Sequence, residues 1–140
     1  MDFQVSVLCD FAADYQGKLC VQGAFDTLFV RSFPAVHPSC ALALRVVLTP
    51  EDAGDHKLSI NIVDSEGESL DKAHMPINGD LHVQLPEGAA FFTRNLIMNF
   101  QGLTFSKAGN YAVEVSLDEQ PAVKVPLRVV EVPQQQPAQN

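Results

Sequence analysis

A chain of 140 residues suits one domain, because a domain of about this length buries roughly two thirds of the surface that its unfolded form exposes. The formal net charge is −8, and the 9 lysines and arginines are scattered singly, so nucleic acid and anionic membranes are poor partners. Apolar residues make up 46% of the sequence, yet no apolar run approaches the roughly 20 residues of a membrane-spanning helix.

The N-terminal segment, residues 1–10, has no positively charged leader and carries an acidic residue near each end. These features indicate a first strand and not an export signal, so we expect a cytoplasmic protein. Cys9, Cys20 and Cys40 are odd in number, show no CxxC spacing and lie in strand-like apolar runs. Buried reduced thiols are therefore expected, with one disulfide and one free thiol as the alternative in an oxidising compartment.

Alternation of apolar and polar residues with a period of two predicts antiparallel strands that are buried on one face. The alternation is weaker at residues 3–9, 18–22, 27–33, 69–75 and 81–85, and clear at 42–48, 58–62, 96–100, 111–117 and 123–129. No convincing helix appears, although residues 50–53 have the composition of a single helical turn.

Turn residues separate the predicted strands at intervals typical of an all-β fold. They fall at residues 15–17, 64–67, 78–80, 86–88 and 117–121. Pro126 cannot donate a ladder hydrogen bond, so the last strand is predicted to be an edge or to turn this nitrogen outward. We expect one domain over residues 1–132 and a disordered polar tail over 133–140.

The segment at residues 103–115 predicts the type of fold. Tyr111 follows Gly109 by two positions and precedes Val113 by two. In immunoglobulin-like domains a corner tyrosine occupies this place before the second bridging cysteine, and its hydroxyl bonds to the backbone a few residues upstream. The spacing predicts an all-β, antiparallel β-sandwich of immunoglobulin-like architecture that relies on packing instead of an inter-sheet disulfide.

The acidic loop around Asp64, Glu66 and Glu68 is the one weak metal candidate. Alternating carboxylates next to a glycine are typical of half of a calcium loop. Neighbouring acidic loops, at Glu51, Asp52 and Asp55, are the expected source of further ligands. The same residues also make an ordinary hairpin turn, and the full EF-hand spacing is absent, so we assign no metal and no cofactor.

Catalytic motifs are missing from the sequence. There is no GxSxG elbow, no glycine-rich phosphate loop and no cysteine beside an activating base. The four histidines lie far apart, and His74 and His82, which flank a predicted turn, are the only pair worth checking as metal ligands. No catalytic residue is therefore assigned.

Exposed aromatic residues are the remaining candidates for a partner surface. At most one ring of the pair Phe91 and Phe92 can face the core if the segment is extended. Phe29 lies in a segment that is apolar on both faces, together with Val30 and Phe33. We expect loops to cover such a segment; if they do not, it marks a surface for a protein partner or for self-association.

The sequence also resembles a family of small, uncharacterised bacterial proteins, a domain of unknown function. The resemblance covers almost the whole chain and depends on these stretches: Leu8-Cys-Asp-Phe-Ala12, Gly17-Lys-Leu19, Gly23-Ala-Phe-Asp26, Pro34 with His37-Pro38, His56 to Ile60 followed by Asp64 and Gly67, and Asn95 to Leu103. It implies a bacterial cytoplasmic all-β protein and carries over no catalytic residue. Among its pattern positions, Asp10 suits a turn and Gly23 suits a bulge or bend.

Taken together, the sequence predicts a non-enzymatic protein-binding or assembly module that uses an exposed sheet edge or the aromatic cluster around Phe91 and Phe92. The apolar excess and the expected edge strands also predict a homodimer. The first alternative is a small-ligand or calcium-binding sandwich that uses the acidic loops. An enzyme without a recognisable motif comes third.

Overall fold

The structure, a computed structural model, describes residues 1–133 and is built almost entirely from β-strands. The all-β prediction is confirmed, and the expected single helical turn is present as a 3-10 turn at Pro50–Asp52. The strands are β1 (Asp2–Tyr15), β2 (Lys18–Phe25), β3 (Thr27–Val30), β4 (Ala35–Leu48), β5 (Gly54–Val63), β6 (Ile77–Val83), β7 (Phe92–Phe105), β8 (Gly109–Leu117) and β9 (Gln120–Glu131).

These strands form two sheets. Sheet A has the order β2-β1-β4-β7 and is antiparallel, and sheet B has the order β3-β9-β8-β5-β6. Within sheet B, β3 runs parallel to β9, so the prediction of a wholly antiparallel fold is wrong at this edge. Only Asp26 separates β2 from β3, which leaves no room for a reversal, and the chain therefore changes sheet while it keeps its direction.

Two predicted local structures are wrong. Residues 69–75 form no strand, because the Asp71 carboxylate accepts hydrogen bonds from the main-chain amides of Ala73 and His74 and holds a turn there. Residues 78–80 were predicted to turn, yet they lie inside β6 and pair with residues 57–59 of β5. Pairing with a neighbouring strand overrides the turn preference of this short segment.

Pro126 lies in β9, which is flanked by β8 and β3, but β3 pairs only with Arg128–Glu131. Among the described residues, the β3 side of β9 therefore has no strand partner at Pro126, as expected of a residue that cannot donate a ladder bond. The predicted polar tail, residues 133–140, lies outside the described residues apart from Pro133.

Side chains from both sheets meet in one hydrophobic core. Leu42 and Leu44 of sheet A and Val113 and Val115 of sheet B are almost fully buried within it. At its end the Tyr111 hydroxyl donates a hydrogen bond to the main-chain carbonyl of Lys107 at 2.7 Å. The Tyr111 ring meets Phe105 edge-on at a centroid distance of 5.1 Å. The predicted bond from the corner tyrosine to the backbone is confirmed.

The outer face of sheet A carries a second, smaller apolar cluster. Ala41 and Ala43 of β4 are fully buried there, together with Cys9 and Ala12 of β1. Leu19 of β2 packs against the same cluster. The half of the β1–β2 hairpin beyond Asp10 therefore folds back over sheet A, and the small side chains of β4 leave room for it.

Hydrogen bonds hold the tip of this hairpin in place. Arg45 Nη1 donates to the carbonyl of Gly17 at 3.1 Å and to Asn95 Oδ1 at 2.7 Å. Asn95 Nδ2 in turn donates to Asp14 Oδ2 at 2.8 Å. Because this hydrogen bond stabilises the carboxylate, the pKa of Asp14 lies below its ordinary value.

The hairpin bends at Gly23, as the sequence suggested. The pairs Cys9 with Ala24 and Phe11 with Gln22 keep one register, so no extra residue is inserted and the feature is a bend, not a bulge. Gly23 has a φ of 70°, and a Cβ atom added there would lie 2.5 Å from Asp10 Oδ2. Only glycine fits this position without a shift of its neighbour.

Replacing the corner tyrosine tests its hydrogen bond. Tyr111→Phe removes the hydroxyl and leaves the Lys107 carbonyl unpaired, so we expect the free energy of unfolding to fall by about 1–2 kcal/mol in urea denaturation. Tyr15→Phe is the matched control, because Tyr15 is 61% exposed; its effect should stay within about 0.5 kcal/mol. Equal losses in the two variants would contradict the role of the corner bond.

Replacing the glycine at the bend tests the folded-back hairpin. Gly67→Ala, at a φ of 82° with open space around it, should lower the free energy of unfolding by about 1 kcal/mol through backbone strain alone. Gly23→Ala adds the collision with Asp10 and should cost at least about 1 kcal/mol more. Urea denaturation of both variants measures the difference, and a loss no larger at Gly23 would rule out the close contact.

Candidate interaction surface

His56 has the contacts of a structural residue. Its Nδ1 lies 2.6 Å from Asp118 Oδ2, and its Nε2 lies 2.6 Å from the main-chain carbonyl oxygen of Asp52. Both partners are acceptors, so both ring nitrogens carry protons and the ring is an imidazolium. The hydrogen bond to Asp118 is the main reason why the pKa of His56 is raised. In this state neither nitrogen is free to take a proton from a substrate.

The pair His74 and His82, singled out in the sequence, is not brought together. His74 Nδ1 lies 2.8 Å from Asp71 Oδ2, and His82 Nδ1 lies 2.7 Å from Asp55 Oδ1. Each ring thus has its own carboxylate. No group of three or more His, Cys, Asp or Glu side chains within residues 1–133 is placed to hold a metal ion.

The cysteines differ in exposure and are all free. Cys9 and Cys40 are buried as expected, and burial raises the pKa of the Cys40 thiol to about 11. A thiol with this pKa is protonated at neutral pH and is a poor nucleophile. Cys20 is exposed on β2, so the prediction that all three are buried is wrong for it. It lies on the outward face of the folded-back hairpin, opposite Ala13.

The acidic loop forms a turn. Asp64 Oδ1 accepts hydrogen bonds from the main-chain amides of Glu66 and Glu68 at 2.9 and 3.0 Å. These bonds to the carboxylate lower the pKa of Asp64. One oxygen of the strongest candidate ligand is therefore occupied by its own loop, while Glu66 and Glu68 are exposed. A calcium site in this loop stays a prediction.

The three predicted surface aromatics are exposed but do not form one cluster. Phe91 is 63% exposed, Phe92 40% and Phe29 66%, so no loop within residues 1–133 covers Phe29. Phe29 lies on β3, an edge strand of sheet B. Phe92 begins β7, an edge strand of sheet A. Phe91 and Phe92 are thus the start of an edge strand, and Phe29 belongs to a separate surface.

Edge strands are where a sheet offers unpaired backbone amides and carbonyls to another chain. Three of the four edges in this fold are short or carry protective features. Strand β3 has 4 residues, β6 has 7 and includes Asp80, and β2 bends at Gly23 and includes Lys18. Charges, bends and shortness each disfavour pairing with a further strand.

Strand β7 is longer and has fewer of these protections. It has 14 residues, with neither proline nor lysine nor any acid, and Arg94 is its one charge. It pairs with β4 in a single register from Phe92 to Phe105. On its other side no main-chain hydrogen bond joins it to another segment of the chain that the structure describes. This edge is thus the longest one without a strand partner within residues 1–133.

A groove runs beside the second half of β7. Its volume is about 760 Å³, and it lies between β7 and the segment that precedes β6. Leu70, Met75 and Leu103 contribute apolar surface, and Asp71 contributes a carboxylate. A hydrogen bond from the His74 ring, which also lines the groove, is the main reason why the pKa of Asp71 lies below its ordinary value. The edge thus has exposed aromatics at one end and a groove lined by apolar residues and Asp71 at the other.

Two further exposed aromatics were missed in the sequence. Phe11 is 57% exposed and Tyr15 is 61% exposed, on the outward face of the folded-back hairpin. Their residue numbers have the same parity, which places them on one face of the strand. The alternation of the sequence is sufficient to place Phe11 and Tyr15 on one face of the strand. That this face points away from sheet A depends on the folding back of the hairpin, which the alternation does not predict.

The geometry describes an all-β protein with a long sheet edge, β7, that has no strand partner on one side within residues 1–133. The model of a family of unknown function, DUF6941, matches residues 4–130. The chain therefore belongs to this family, in agreement with the resemblance to an uncharacterised domain. No curated protein matches the sequence. Within residues 1–133 there is no helix of the length and apolarity required for a membrane span.

The imidazolium state of His56 predicts a pH dependence of stability. A pKa raised by folding adds stability below the ordinary value of about 6.5, and this contribution is lost as pH rises through the folded-state pKa. The free energy of unfolding should therefore fall as the pH rises above about 6.5, and His56→Gln should reduce that fall. His82→Gln, which changes an exposed ring, is the control. Urea denaturation across this range measures both, and identical pH profiles would refute the assignment.

Proposed function

We propose that the protein is a non-enzymatic binding or assembly module that pairs the free edge of β7 with an extended segment of a protein partner. The observation that carries this proposal is the 14-residue edge without lysine, acid or proline. Natural sheets protect such edges unless another chain covers them. In strand addition, main-chain hydrogen bonds supply the affinity and side-chain contacts supply the specificity.

The two ends of β7 support the proposal. Phe91 and Phe92 offer exposed aromatic surface just where the edge begins, and aromatic side chains are enriched in the buried centres of interfaces. The groove beside residues 99–104 offers apolar surface from Leu70 and Met75 at the other end. A partner strand along the edge would cover both features.

We also propose that the two sheets form an immunoglobulin-like sandwich. Support comes from the order of β9, β8 and β5, which corresponds to strands G, F and C, and from β1, β4 and β7, which correspond to A, B and E. The bond from Tyr111 to Lys107 at the corner between β7 and β8 adds to this support. In this scheme β3 would be an extra strand beside G.

Lysine substitutions on the edge test the proposed function. Asn99→Lys with Gln101→Lys places two charges on exposed positions of β7, and Gln22→Lys with Asn78→Lys makes the same changes on β2 and β6. The parent and both variants serve as bait for protein from the native host, with captured proteins identified by mass spectrometry. We expect a protein, or the chain itself, to bind the parent and the control and to bind the β7 variant at least about tenfold more weakly.

The proposal fails if nothing binds the parent and the parent does not self-associate. It also fails if every captured protein binds the β7 variant as well as the parent. Melting curves of the two variants should agree with that of the parent, because all four substituted positions are exposed.

A further inference from the structure

We propose that the partner of β7 is β7 of a second copy of this chain, paired antiparallel across a two-fold axis that passes near Ile97. This inference rests on the proposed function and names its partner. Two copies would then share one continuous sheet, because sheet A of each copy ends at β7.

A two-fold axis requires that the edge be complementary to itself. Residues that lie opposite each other in antiparallel strands have their side chains on the same face of the sheet. When β7 pairs with its own copy, odd-numbered residues therefore lie opposite odd-numbered ones and even-numbered residues opposite even-numbered ones. Residues 92–101 keep regular alternation against β4, and the irregularity comes at Gly102, which has a φ of 67°. If Ile97 lies on the axis, residues 93–101 of one copy lie opposite residues 101–93 of the second copy, which includes most of the regular stretch.

In that register the residues on the outer face of sheet A meet no like charge, and Asn95 keeps its own hydrogen bond to Asp14. Thr93 lies opposite Gln101 of the second copy, Asn95 lies opposite Asn99, and Ile97 lies opposite its own equivalent. All are uncharged. Like charges directly opposite one another destabilise a strand pair, and this register contains none.

The two unlike ends of β7 are brought together by the same axis. Just beyond this regular stretch, Phe92 of one copy comes next to Gly102 of the second copy, and Phe91 comes next to Leu103. Gly102 and Leu103 line the apolar groove with Leu70 and Met75. The exposed aromatic pair of each copy thus meets the groove of the other, and this contact occurs twice in the dimer.

Charge complementarity favours a second copy over an unrelated peptide. Arg94 is the one charge of β7, and across the axis it lies opposite Phe100 of the second copy. Phe100 lines the groove that also contains the Asp71 carboxylate. Arg94 Nη1 donates a hydrogen bond to the main-chain carbonyl of His82 in its own chain at 2.8 Å. Its other N–H groups are left for the Asp71 side of the groove in the other copy, and this contact favours the register.

Matched charge variants test this register. Thr93→Lys with Gln101→Lys places two lysines opposite each other at both ends of the pairing, whereas Thr93→Lys with Gln101→Glu places a lysine opposite a glutamate. Sedimentation equilibrium of the full chain measures the dissociation constant of each. We expect a dimer for the parent, at least about tenfold weaker dimerisation for the lysine pair and near-parental dimerisation for the opposite-charge pair. Low salt should widen the difference.

Three outcomes would overturn the inference. A parent that stays monomeric at high micromolar concentration removes the dimer, and the proposed function survives if capture still depends on Asn99 and Gln101. A dimer that tolerates the lysine pair uses another surface. If the lysine pair and the opposite-charge pair are both monomeric, while their melting curves agree with that of the parent, the proposed register is wrong. Amide exchange gives an independent readout, since residues 92–101 should gain protection as the protein concentration rises only if β7 is the interface.

Discussion

The fold depends on residues 40–44 of strand β4 being buried on both faces of the sheet. Leu42 and Leu44 face the core between the sheets, while Ala41 and Ala43 lie beneath the folded-back half of the β1–β2 hairpin. A strand segment that is buried on both faces needs a paired strand on each side and a packed layer on each face. Strands β1 and β7 flank it, sheet B lies below, and the bent hairpin lies above. Loss of the bend at Gly23 would expose the alanine face to water.

This arrangement also decides which edges are open. The hairpin that covers β4 takes β1 and β2 away from their straight path, and its tip is held by Arg45 and Asn95 on the strands below. One side of sheet A is thereby bent and charged. The other side ends in β7, which pairs with β4 in one register with an irregularity at Gly102 and has no further strand beyond it within residues 1–133.

Local pattern was sufficient for the strands and the corner, but not for their arrangement. The alternation at residues 111–117 predicted both β8 and its buried face, and the spacing of Gly109 and Tyr111 predicted a hydrogen bond that the structure contains. The parallel pairing of β3 and the edge position of β7 depend on strand order, which joins distant parts of the chain. A signal for the folded-back hairpin was present: residues 40–44 are apolar at every position, which is typical of strands buried on both faces.

The unequal burial of the three cysteines has a practical consequence. Cys9 and Cys40 are enclosed in the two apolar clusters, whereas Cys20 stands on the outward face of the hairpin. A thiol-reactive dye added to the native protein should therefore attach at one place, on the element that covers β4. A fluorophore there would report the lifting of the hairpin separately from the melting of the core, and the native sequence supplies this handle without any engineered residue.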